Sequence, residues 1–145
     1  MIKAIKSQLK KFLYGGSQRT CTVCGSGSRA FLPSGFVSRE DARCPFCNTV
    51  ERHRLLMLFL KERTDLFDGS SKRFLHIAPE RVLIDIFSRA VGSGYLTADL
   101  FDPNVMEKMD ITDIQHPADT FDVIYCSHVL EHCLLYTSPS PRDRG

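Results

Sequence analysis

Apolar positions along this chain keep different periods in different stretches. Ile2, Ile5, Leu9, Phe12 and Leu13 recur at helical spacing with lysines between them, so the opening residues read as an amphipathic helix. Gly15 and Gly16 end it. Its apolar stripe is expected to pack on its own domain, in preference to a membrane surface. From 20 to 48 no helical period survives. Short apolar pieces ("RAFLP", "GFVS") sit among Gly, Ser, Pro and Cys, which predicts short strands and turns. The period returns in "NTVERHRLLMLFLKER" and predicts a helix from Thr49 to Arg63, with Asn48 and Glu51 as a capping box.

After the turn-like "DGSSK" at 68–72 the texture changes. "RFLHIA" is a short apolar strand. "PERVLIDIFSRAVG" carries Val82, Leu83, Ile86, Phe87, Ala90 and Val91 on one stripe and is a helix that Gly92 ends. "GYLTADL" is a second strand, "VMEKMDIT" holds a short third, and "FDVIYCSHV" is a further apolar run. Strand, helix, strand and further strands predict an α/β fold with a mostly parallel sheet.

Charge sharpens this division. Residues 1–65 hold 12 Lys/Arg against 5 Asp/Glu, while residues 66–145 hold 7 against 12. A basic front on an acidic back suggests two modules. The basic front, through Arg19, Arg29, Arg39, Arg43, Arg52 and Arg54, is a candidate for contact with RNA. No apolar run approaches the roughly 18 residues of a membrane span, and the N-terminus lacks the apolar core of a signal peptide. A reducing, cytoplasmic setting is therefore expected, with cysteines as thiols or metal ligands.

Four of the six cysteines form "CTVC" (21–24) and "CPFC" (44–47), separated by 19 residues. Each pair can make a turn that aims two thiolates at one point, and two such turns close a tetrahedron. Cys21, Cys24, Cys44 and Cys47 are the expected zinc ligands, and Gly25 suits the first turn by tolerating positive φ. With four cysteines no position is left for water, so the zinc would be structural. Two disulfides or free thiols are the alternatives. Cys126 reads as a small core residue, and His53 as a surface or packing histidine.

The second half carries another series. Asp99 follows His76 by 23 residues, where nucleotide-binding α/β folds place a ribose carboxylate. Asp110 and Ile111 stand where a third strand ends and pair a polar group with an apolar one, which suits an adenine. Ser127 and His128 end the next strand. Ligands of open parallel sheets bind outside the carboxyl ends of the strands, so these residues are expected on one rim.

The series "FLHIAPE", "YLTADL", "MDIT" and "FDVIYCSHVLEH" resembles class I S-adenosylmethionine-dependent methyltransferases. It is most similar to a bacterial group with an N-terminal four-cysteine zinc module and a "CP-x-C…ERHR" segment, over Cys21 to His132. The resemblance implies a zinc-ribbon-like module (17–48) after the N-terminal helix (1–16), a connecting helix (49–67), and the first part of a Rossmann-like methyltransferase domain (73–132). It puts the first motif on Leu75–Glu80 and the fourth-strand motif on Phe121–His132. It implies S-adenosylmethionine held by Ala78, Asp99, Leu100, Asp110, Ile111, Ser127 and His128, beside structural zinc. One departure stands out: the family's first loop is glycine-rich, whereas this one reads "HIAPE", with Ala78 and Pro79 at glycine-like positions.

Methyl transfer to an acceptor that the sequence does not identify is thus the expected activity. No catalytic residue is assigned; His128 is equally a base or a wall of the methionine pocket. A nucleic-acid-binding zinc module on a non-catalytic Rossmann-like domain is the alternative, and a purely structural zinc module a third reading. The closing "CLLYTSPSPRDRG" has no helical period. Its "LLYTSPSPRD" resembles translated sequencing-adapter read-through found on unrelated proteins. Residues 133–145 are accordingly expected to be a non-native tail on a truncated chain, inactive because its fourth strand would be left as an apolar edge.

Overall fold

A computed structural model of the chain describes residues 2–130, with side chains from residue 8 onward. The expected non-native tail at 133–145, and Glu131 and His132 of the fourth-strand motif, lie outside the described residues. The chain divides into two compact units, Met1–Asp65 and Leu66–Gly145. Among the described residues no helix is long and apolar enough to cross a membrane.

In the first unit, helix α1 (Ile2–Tyr14) runs directly into β1 (Gly15–Thr20), which pairs antiparallel with β2 (Gly27–Ser28). Strands β3 (Leu32–Ser34) and β4 (Arg39–Arg43) form a second antiparallel pair, and α2 (Glu51–Arg63) follows. Little apolar matter fills the centre. Cys21, Phe31 and Cys44 are buried, with Val23, Phe46 and Cys47 packed half-buried against them. Arg54 of α2 lies over the Phe31 ring at 4.3 Å and donates to the Ala42 carbonyl at 2.8 Å.

Two expectations are corrected here. The helix begins at Glu51, and Asn48 does not cap it; Asn48 has φ 62° and closes the preceding cysteine turn. The cap is Val50, whose N–H donates to His53 Nδ1 at 3.0 Å. His53 is accordingly buried, as a packing residue with a capping role. Glu51 instead takes two bonds from Arg39. The chain must first leave its left-handed turn, so the helical dihedrals start later than the residue types suggest. The second correction concerns α1. Among its described apolar side chains, Leu9, Phe12 and Leu13 are 55%, 79% and 51% exposed, so the stripe is not covered by the unit there.

The second unit is built on four parallel strands: β5 (Phe74–Ile77), β6 (Tyr95–Asp99), β7 (Glu107–Lys108) and β8 (Val123–Cys126). Their order is β7-β6-β5-β8, so the direction of winding reverses between β5 and β8. Among the described residues β8 is an edge, and its Ile124 is exposed. Helix α3 (Arg81–Val91) links β5 to β6 and buries Leu83, Phe87 and Val91 from the predicted stripe. Gly92 ends it at φ 70°, its N–H donating to Ser88 O.

Strand alternation gives the sheet two apolar faces. Phe74 and Tyr95 share a face with His76 and stack near Phe87, the Phe74 and Phe87 ring centroids being 5.0 Å apart. Leu75, Ile77, Ala98 and Met109 form the cluster on the other face.

His76 is the anomaly of this core. It is fully buried among Phe74, Phe87, Tyr95 and Tyr125, its Nδ1 lies 2.7 Å from the Tyr95 hydroxyl, and its Nε2 has no partner among the described residues. Burial pushes its pKa down to about 4, against a smaller upward pull from Glu80. Unfolded imidazole takes its proton near 6.5, so in the intervening window the unfolded chain binds more protons than the folded one. Stability is complete above that range and is lost as pH falls towards about 4. The expected loss is about 3 kcal/mol, readable as denaturation midpoints from pH 7 down to 4.5, and His76→Phe should flatten it. An equally steep acid loss in that variant would assign the effect elsewhere.

Candidate functional site

The two cysteine turns are built alike. Cys21 O accepts from Gly25 N–H at 2.8 Å, and Cys44 O accepts from Asn48 N–H at 2.9 Å. Cys21 N–H donates to Ser26 O and Cys44 N–H to Thr49 O, at 3.1 and 2.9 Å. Gly25 has φ 71° and Asn48 φ 62°, so each turn ends on one left-handed residue. Glycine meets that need without cost, and asparagine is among the few side chains that tolerate it.

These turns bring the four Sγ atoms of Cys21, Cys24, Cys44 and Cys47 within 4.8 Å of one another, a group that could hold a metal ion. Cys21 and Cys47 sulfurs lie 3.6 Å apart, and those of Cys24 and Cys44 3.8 Å. A disulfide requires about 2.05 Å. A tetrahedron with metal–sulfur bonds of about 2.3 Å has edges of about 3.8 Å, close to these two separations, in a cluster that spans up to 4.8 Å. Thr49, fully buried, places its hydroxyl 3.0 Å from Cys47 Sγ and 3.6 Å from Cys21 Sγ.

The Cys47 thiol, hydrogen-bonded to Cys21, pulls Cys21 down to about 4, and the same contact pushes Cys47 up. Burial pushes Cys44 up as well. The thiols therefore share protons unequally, and a bound divalent ion would displace those that remain. Helices clasp the turns from outside. Lys10 of α1 donates to Pro45 O at 2.9 Å, and Lys61 of α2 to Thr22 O at 3.2 Å. Each carbonyl belongs to the residue just after the first cysteine of its pair. Neither lysine was marked by the sequence pattern, because the partners are 35 and 39 residues away.

Several arginines of the basic front are engaged within their own unit. Arg19 pairs with Asp41, Arg39 with Glu51, and Arg29 donates to Gly15 O.

In the second unit a cleft of about 230 Å³ opens at the carboxyl ends of the strands. Ala78 enters it from β5, Asp99 and Leu100 from β6, Asp110 and Ile111 from beyond β7, and His128 from beyond β8. Ile77, Phe101, Met109 and Val129 complete its wall; of the residues expected at the rim, Ser127 is not in the lining. Phe101, Met109 and Val129 escaped the sequence reading, although each adjoins a residue that was singled out.

Both carboxylates also brace their own loops. Asp99 Oδ1 accepts from the N–H groups of Phe101 and Asp102 at 2.7 and 2.8 Å. Asp110 Oδ1 accepts from Thr112 N–H and hydroxyl at 2.9 and 2.7 Å, which holds its pKa below the usual carboxylate range. Among the described residues all these bonds fall on Oδ1.

The backbone of the cleft is strained at two places. Ala78 has φ 48° and His128 φ 57°. Such residues concentrate at binding sites, where the surrounding structure holds them. Position 78 thus keeps the conformation glycine would adopt, although alanine occupies it. Ala78→Gly should raise the stability of the second unit by about 1 kcal/mol, seen as a higher denaturation midpoint; a lower midpoint would refute strain there. Comparison with protein-family models, with curated proteins and with solved structures finds no match to this chain.

Proposed function

We propose that the second unit binds S-adenosylmethionine as the donor half of a class I, Rossmann-like methyltransferase, and that the four cysteines hold a structural zinc ion. One observation carries the donor reading. The cleft lies at the carboxyl ends of parallel strands, beside the point where strand order reverses, and Asp99 lines it at the end of β6. Open α/β sheets bind nucleotides at such a switch point.

The residues present fit the ligand. Asp99 can accept bonds from both ribose hydroxyls, with its orientation fixed by the Phe101 and Asp102 amides. Asp110 can bond the edge of an adenine while Ile111 covers its face. The cleft is smaller than the about 300–1,000 Å³ of a complete ligand site, and holds part of the nucleoside.

When bound, S-adenosylmethionine supplies a methyl group already activated on a sulfonium. The work left to the chain is to orient the donor and exclude water. The apolar wall of Leu100, Met109, Ile111 and Val129 serves the second task. His128, from the strained turn after β8, can take a proton where the acceptor must lose one. Titration calorimetry with S-adenosylmethionine, on a folded, zinc-loaded protein that carries a complete C-terminus beyond β8, tests the proposal. Binding that Asp99→Ala weakens is expected, and no heat from that protein would rule it out.

For the metal, the fit rests on four sulfurs within 4.8 Å of one another, two pairs of them at 3.6 and 3.8 Å. Four thiolates saturate zinc, so the ion would join the two turns and leave no site for water.

A further inference from the structure

We propose that α1 is a peripheral membrane anchor, docking along its length on anionic lipid surfaces. Its apolar side is open: Leu9, Phe12 and Leu13 are all more than half exposed. Helical spacing puts these positions on one stripe with Ile2 and Ile5. The remaining positions include Lys3, Lys6 and Lys11, beside Lys10, which is engaged at the Pro45 carbonyl, with no acid in the helix. The first carboxylate of the chain is Glu40, and seven Lys/Arg precede it. A helix with one apolar face and a lysine-rich flank lies in the plane of an interface, its apolar side in the acyl boundary and its cations among the headgroups. At 13 residues α1 is too short to span a bilayer.

Charge selects this occupant over others. A second copy would bring a second row of lysines against the first, with no acid in either helix to offset them. Nucleic acid would use the lysines but leave Phe12 and Leu13 in water, and Arg19, Arg29 and Arg39 are already engaged. Helix α2 makes a useful contrast. It also exposes Leu55 and Phe59, yet carries Glu51 and Glu62 among its cations and lacks the one-sign flank. The Lys10 bond to Pro45 O and the direct passage into β1 tie α1 to the cysteine turns, so the stripe is held outward by the folded unit.

Co-sedimentation of the full chain with two vesicle types at low salt tests this. One is phosphatidylcholine alone; the other is equal parts phosphatidylcholine and phosphatidylglycerol. Binding to the mixed vesicles and not to the neutral ones is expected, weakening as salt rises. Phe12→Ser with Leu13→Ser should lower the affinity by at least about tenfold. Both residues are exposed, so metal content and far-ultraviolet dichroism should be unchanged, which separates a lost anchor from a lost fold. Lys3→Glu with Lys6→Glu should remove the preference for anionic lipid. Failure to bind either vesicle, undiminished binding by the Phe12/Leu13 variant, or RNA binding by a chain that ignores vesicles would each overturn the proposal.

Discussion

Cys44→Ser is expected to unfold the first unit. Its central cluster is Cys21, Phe31 and Cys44 with three half-buried neighbours, beside which Ala42 and Met57 are also buried, so two members of that cluster are among the four proposed metal ligands. A centre that small cannot offset the chain entropy of the unit. Bound zinc adds about 10–16 kcal/mol of apparent binding free energy in comparable peptides, and there binding energy is folding energy. Loss of one thiolate should cost most of the affinity, and a strong chelator should act on the intact protein in the same way. The readouts are metal content and loss of dichroism from the α2 segment, which the fold ties to the first turn through Lys61, which donates to Thr22 O, and through the Thr22 hydroxyl, which donates to Arg54 O. Cys126→Ser serves as the control, because Cys126 packs in the sheet cluster of the other unit. An intact first unit after complete removal of metal would refute a structural role. Acid should also release the ion, since its ligands must be deprotonated.

The second large effect is at Asp99. Asp99→Ala should weaken S-adenosylmethionine binding by at least about a hundredfold, because bonds from two hydroxyls to a charged acceptor contribute about 1.5–3 kcal/mol each. Alanine also frees the amides of Phe101 and Asp102, so it cannot by itself separate recognition from loop order. Asp99→Asn can. It keeps one oxygen for the loop amides and removes the charge and the second acceptor. Calorimetry should show most of the loss already in the asparagine variant. If asparagine binds like the parent chain while alanine does not, Asp99 only braces its loop.

How far the pattern of residues reaches differs between the two sites. Both cysteine turns are local, closed by backbone bonds between residues four apart, and their spacing announces them. Asn48 shows where a local reading slips. Its residue type suits a helix cap and a left-handed turn equally, and only its place relative to Cys44 and Cys47, matching that of Gly25, decides for the turn. The cleft is legible in part. Carboxylates at strand ends were visible one by one, while the contributions of Phe101, Met109 and Val129 depend on how loops from different strands meet.

Period and turn chemistry by themselves determined the parallel-sheet class, the stripe of α3 ending at Gly92, and the four cysteines as one constellation. Each rests on neighbours within a few residues, where spacing along the chain equals direction in space. Tertiary structure alone decided the order β7-β6-β5-β8, the entry of Phe101, Met109 and Val129 into the cleft, the lysine clasps on the cysteine turns, and the exposure of Leu9, Phe12 and Leu13 on α1. Those features join residues far apart in sequence. An apolar stripe states that a face exists, and what covers it depends on the rest of the fold.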